Sequence, residues 1–239
     1  MKAFKILIEA AIKTSDKMIV SIEEFILSLK THPVVFPLLS TMSFGNLERV
    51  FNSVTVEKTG KSYLKFFPDE NALKEFLSIL ELVDYLYAEF GGLHSLVERA
   101  SINHTERLMR VSNAFIDADK ILIDNVKNMD IKNPIVRQIF ATKLTFLEKR
   151  RDEYDIDALY NLNFKQMKEV IIDLLRRENN NEFAQKYIYE LTRGIDDYKA
   201  VGVGFGNFIT TMTNIQNKAK ENCTKLKENS KNILQFNFN

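Results

Sequence analysis

The chain has 239 residues, of which 45% are hydrophobic and 27% charged, with a formal net charge of +1. Eight Gly and four Pro are few, which favours long helices over a turn-rich β fold, and the near-neutral balance gives no global drive towards nucleic acid. One cysteine, Cys223, excludes an internal disulfide framework and a cysteine zinc cage.

Residues 2–30 place Phe4, Ile8, Ala11, Met18, Ile22, Phe25 and Leu29 at near-helical spacing. Thr14-Ser15 marks a candidate break, because Ser15 before Asp16 has the chemistry of a new N-cap. His32-Pro33 ends the segment, since the residue before proline is pushed out of the helical region. Residues 34–53, interrupted by Pro37 and Gly45, read as short helical turns. Val54-Thr55-Val56 alternates and Lys58-Thr59-Gly60-Lys61 can turn, so a small β-hairpin is expected near 54–66. Pro68 opens a helix carrying Leu73, Phe76, Leu80, Val83 and Phe90, and Gly91-Gly92 is expected to close it.

A further helix is expected over 93–128, with Val97, His104, Val111, Ala118 and Leu122 on its stripe. Asn133-Pro134 opens another, ending in the charged run Glu148 to Asp157. The next covers about 157–178, followed by the polar break Asn179-Asn180-Asn181. From Leu191 onward, positions three or four apart read Ile195, Tyr198, Gly202, Phe205, Ile209, Met212, Gln216, Ala219, Cys223 and Leu226. The period runs through the glycines, so 182–230 is expected to be one helix of roughly 70 Å, at about 1.5 Å per residue. The architecture expected is all-α: an elongated bundle of long antiparallel helices forming one domain over 1–239, with 232–239 a disordered or docked tail.

Two stretches lack charge altogether, between Lys30 and Glu48 and between Lys199 and Lys218, and both contain Phe-Gly-Asn. Both gaps are expected to be deeply buried and to pack near each other. Gly202, Phe205, Gly206 and Ile209 form a candidate close-packing face of the small-xxx-small kind. The alternative is a reversibly membrane-inserting, pore-forming segment over 200–217, although Asn and Thr crowd its second half.

Gly60-Lys61-Ser62 has the ending of a phosphate-binding loop, but Thr55 stands where the motif needs its first glycine. Gly202, Gly204 and Gly206 lack the spacing of a dinucleotide fingerprint. Arg99-Ala100-Ser101-Ile102-Asn103-His104 resembles the Arg-x4–6-His pattern of HEPN ribonucleases, small all-helical domains. That resemblance implies Arg99 and His104 acting together on an RNA phosphodiester, but a helix separates them by about 140°. His94 and Glu98 share a helix face without an evident third metal ligand, and the acidic run 152–157 lacks the glycine and terminal Glu of a calcium loop. No cofactor is indicated. Lys218, Lys220, Lys225 and Lys227 make the last long helix basic enough to meet an acidic partner or lipid surface.

The leading expectation is a non-catalytic scaffold of the cytoplasm that binds a protein partner or itself. Lys2, Lys5 and Glu9 interrupt the apolar run that a signal peptide would need.

Overall fold

The computed structural model describes residues 1–31, 36–39, 44–128, 134, 137–138, 141 and 182–238. Among these, every regular element is an α-helix: α1 (Lys2–Thr31), α2 (Gly45–Ser53), α3 (Val56–Phe66), α4 (Ala72–Asn128), α5 (Glu182–Asn229) and α6 (Lys231–Gln235). Of the helix expected over 134–147, only Pro134, Arg137, Gln138 and Ala141 are described, all helical. The charged run 148–157, the helix expected over 157–178 and the Asn179–Asn181 break lie outside the described residues.

Burial on α1 steps alternately by four and three, through Phe4, Ile8, Ala11, Ser15, Met18, Ile22, Phe25 and Leu29. That unbroken period carries the helix past Thr14-Ser15, where a break was expected. Neither residue caps anything. Thr14 Oγ1 accepts a hydrogen bond from Asn46 Nδ2 of α2 at 2.9 Å, and Ser15 is buried with no partner for its hydroxyl.

The hairpin expected near 54–66 is instead the helix α3. Thr55 holds an extended backbone at its N-cap, and the next residues turn helical. Gly60 and Tyr63 are its buried positions, three apart, so the helical period outweighs the short Val54-Thr55-Val56 alternation. A Cβ on Gly60 would stand 3.1 Å from the Phe76 ring, so this glycine serves a close approach rather than a turn. Glu57 and Lys61 add an exposed one-turn ion pair at 2.6 Å.

The helix stop expected at Gly91-Gly92 does not occur, because α4 runs straight through the pair. Its buried positions keep their phase across the glycines, as Phe76, Ile79, Val83, Leu86, Phe90, Leu93 and Val97. No glycine among the described residues has positive φ, so neither adopts the left-handed cap that ends a helix. By contrast, α5 is the continuous helix that its sequence period predicts.

Tertiary contacts divide the chain into two compact units: residues 1–32, 36–100 and 207–239, and residues 33–35 with 101–206. In the first, α1 and the end of α5 run antiparallel: Lys227 pairs with Asp16 at 2.7 Å, Lys220 with Glu23 at 3.1 Å, and Phe208 meets Phe25 edge-on. Phe76 sits fully buried at one end of this unit, its ring centroid 5.5 Å from those of both Phe4 and Tyr63. The C-terminal tail docks here: Phe236 and Phe238 pack on Phe66, Phe236 also packs on Phe67, and Lys5 Nζ donates to the Phe236 carbonyl at 3.1 Å. The two uncharged gaps do meet in this unit, through Phe36 and Phe208 at 5.3 Å.

In the second unit, Ala118 and Leu122 of α4 pack on Phe183, Ala184 and Tyr187 of α5. Tyr187 stacks on Phe183, is fully buried, and has no hydrogen-bond partner for its hydroxyl. Burial pushes its phenol up to about 12. Its folded pKa exceeds the unfolded value near 10, so the neutral phenol adds stability below about pH 10 and loses it as pH rises towards 12. An unsatisfied buried hydroxyl costs about 1–3 kcal/mol, so Tyr187→Phe is expected to raise stability by about 1 kcal/mol. The same change should reduce the fall in stability above pH 10. Urea denaturation of both proteins at pH 7 and pH 10.5 checks both outcomes.

Candidate functional site

In the second unit α4 and α5 are joined by a polar contact in which Arg107 takes part. Its guanidinium Nη1 donates to the Ala200 carbonyl at 3.1 Å, reaching it over Gly204. A Cβ on Gly204 would collide with that nitrogen, so the glycine makes the opening that Arg107 uses. Further along the same helix pair, Gly194 lies under Ala114, where an added Cβ would be 3.2 Å from the alanine methyl. Arg193 bridges Asp117 at 3.0 Å and Glu190 at 2.9 Å, and Arg110 stands 3.9 Å from Asp197. These pairs sit at or near the surface and fix register more than they add stability. Numbers rise on α4 as they fall on α5, so this pair is also antiparallel.

His104 lies in the same contact. It is buried, with its ring centroid 5.1 Å from that of Phe205. Arg99 is exposed on another side of α4, and its Nε donates to the Ser95 carbonyl. The structure therefore does not bring Arg99 and His104 together within a chain. His94 and Glu98 are exposed, and among the described residues no group of three or more His, Cys, Asp or Glu is arranged to hold a metal ion. Gly60-Lys61-Ser62 lies inside α3, where Ser62 Oγ donates to the Lys58 carbonyl rather than facing a phosphate.

Phe205 is buried and Ile209 half-buried, but Gly202 and Gly206 are exposed, and a Cβ on either meets nothing within 4 Å. The close-packing role expected of those two glycines belongs instead to Gly194 and Gly204. The buried line of α5 passes through Val201, Phe205 and Met212, which leaves Gly202, Val203 and Gly206 on the outer side. Among the described residues the gaps are thus not the most buried parts: half of the second faces water, and Leu38 in the first is 96% exposed. Among the described residues no helix is long and apolar enough to cross a membrane.

The basic face of α5 is largely spent on neighbours. Lys220 and Lys227 pair with Glu23 and Asp16 of α1, and Lys225 with Glu221 on its own helix, while Lys218 is exposed. Lys227 in turn favours its charged form through the Asp16 hydrogen bond. Cys223 lies beside the same carboxylate, and burial first, then the Asp16 charge, push its thiol up to about 11. That keeps it protonated and unreactive at neutral pH.

The other face of α4 carries the feature that the sequence reading did not single out. Ile102, Met109, Ile116 and Ile123 recur every seven residues and are 52%, 60%, 48% and 45% exposed. The opposite face of this helix buries Val111, Ala114, Ala118 and Leu122. One helix therefore carries an engaged apolar face and a second apolar line in water. On α1, Ile6, Val20 and Leu27 are also exposed, but Lys13 interrupts that line. Compared with protein-family models, curated proteins and solved structures, the chain matches none.

Proposed function

We propose that the protein is a non-catalytic helical scaffold of the cytoplasm that works by contact and associates with copies of itself. The exposed line Ile102–Met109–Ile116–Ile123 carries this reading. Isolated apolar residues on a surface are ordinary, but a line at one heptad position is what a second helix packs against. The two residues with catalytic potential fit the same reading, since His104 is engaged with Phe205 and Arg99 with the Ser95 carbonyl. Multi-angle light scattering on the full chain at micromolar concentration is expected to show an oligomer. A clean monomer over the whole accessible range would contradict self-association.

A further inference from the structure

We infer that two copies of the chain pair antiparallel through the outer face of α4, with Glu106 of each copy facing Lys120 of the other. The inference rests on the self-association reading and specifies its geometry. The pattern on this face reverses about its own centre. Ile102 and Met109 lie on one side, Ile116 and Ile123 on the other, with the midpoint beside Asn113. Glu106 and Lys120 stand seven residues before and after Asn113, on the same flank of the apolar line, and all three are exposed.

A twofold axis through this point sets Met109 against Ile116 and Ile102 against Ile123. It also brings Asn113 beside its own copy and Glu106 to within one residue, about 1.5 Å along the helix, of level with Lys120, the last contact made twice. An isologous pair requires this kind of self-complementary surface: apolar positions that map onto apolar ones and charges that map onto their opposites. An evenly spaced apolar line is symmetric whatever covers it, so the charge pair Glu106 and Lys120 is what selects a second copy. In a parallel pair, Glu106 and Lys120 would be about 21 Å apart along the helices, at 1.5 Å per residue. Lys120 already has an acid nearby, Asp117 at 3.7 Å, but that exposed pair is loose and leaves the ammonium able to reach across. Four half-exposed side chains per copy make a small interface, so the pair is expected at the weak, micromolar end.

Sedimentation velocity on the full chain and four variants tests this. Ile116→Asp is expected to abolish the dimer. Glu106→Lys and Lys120→Glu should each weaken it by about tenfold, because each turns two attractive contacts repulsive. The double exchange, E106K with K120E, should restore wild-type association to within about twofold. All these positions are exposed, and unchanged circular dichroism and melting in each variant separate loss of association from loss of fold. A dimer insensitive to Ile116→Asp overturns the α4 interface while leaving self-association standing. Single variants that weaken the dimer without rescue in the double exchange overturn the antiparallel register. A monomeric wild type overturns both this inference and the reading beneath it.

Discussion

Phe76→Ala is expected to destabilise the first compact unit by about 3–5 kcal/mol, the cost of removing a large ring from a packed core. Phe76 is fully buried and lies at the junction of three helices. Its ring meets Phe4 of α1, lies against the backbone of Gly60 in α3, and packs on Tyr63, each at close range. No neighbour is placed to fill the space, because Gly60 has no side chain and Tyr63 is held at its hydroxyl by Glu75 at 3.4 Å. Phe76→Leu keeps most of the volume and should cost far less. Urea denaturation followed by far-ultraviolet circular dichroism measures both. Equal, small effects from the two substitutions would show that this ring is not at the centre of the packing described.

The second large effect has the opposite sign. Gly91, Gly92, Gly202 and Gly206 lie inside helices, are exposed, and have room for a methyl group. Each is expected to gain about 0.8–1 kcal/mol on change to Ala, because Ala loses less backbone freedom in a helix and meets nothing here. Because Gly91 adjoins Gly92 and Gly202 lies one turn from Gly206, the quadruple variant should gain at most the sum of about 3–4 kcal/mol. Three other helical glycines supply the control. Gly60→Ala and Gly194→Ala press on Phe76 and Ala114, and Gly204→Ala displaces Arg107 from Ala200, so none of the three should show the full gain. Thermal melts of the seven single variants separate the two groups. A loss of stability in Gly202→Ala or Gly206→Ala would restore those glycines to a close-packed face.

The glycines also show what the sequence revealed and what it did not. The long period through residues 191–226 was enough to predict α5 as one helix, because a repeat that keeps phase cannot span a loop. The same signal was present at Gly91-Gly92, where Phe90, Leu93 and Val97 continue the phase of Phe76 and Val83. At that pair the helical period prevails over the local glycine stop signal. At Gly60 a turn-like run masks the helical spacing of the two buried positions, Gly60 and Tyr63. In each case tertiary packing overrode local propensity.

The candidate site was less legible for a different reason. The repeat Ile102, Met109, Ile116, Ile123 is plain in the sequence, as is the buried line that includes His104 and Val111. Nothing in one sequence says which of two apolar lines on a helix faces its own core and which faces out. That choice depends on where α5 lies, and contacts between residues more than seventy positions apart, such as Asp117 with Arg193, decide it. Gly202 and Gly206 failed as packing residues for a related reason. A spacing of four puts two glycines on one face but does not say that a neighbour occupies that face.

The most direct test of whether the outer face of α4 joins two copies is a cysteine cross-link in a Cys223→Ser background. Chains carrying Met109→Cys are mixed with chains carrying Ile116→Cys, and the mixture is oxidised gently. The account predicts that the mixed 109–116 disulfide dimer forms in preference to 109–109 or 116–116 dimers, and far more readily than from an exposed control such as Asn207→Cys. Cross-linking no faster than the control, or no preference for the mixed pair, would contradict it.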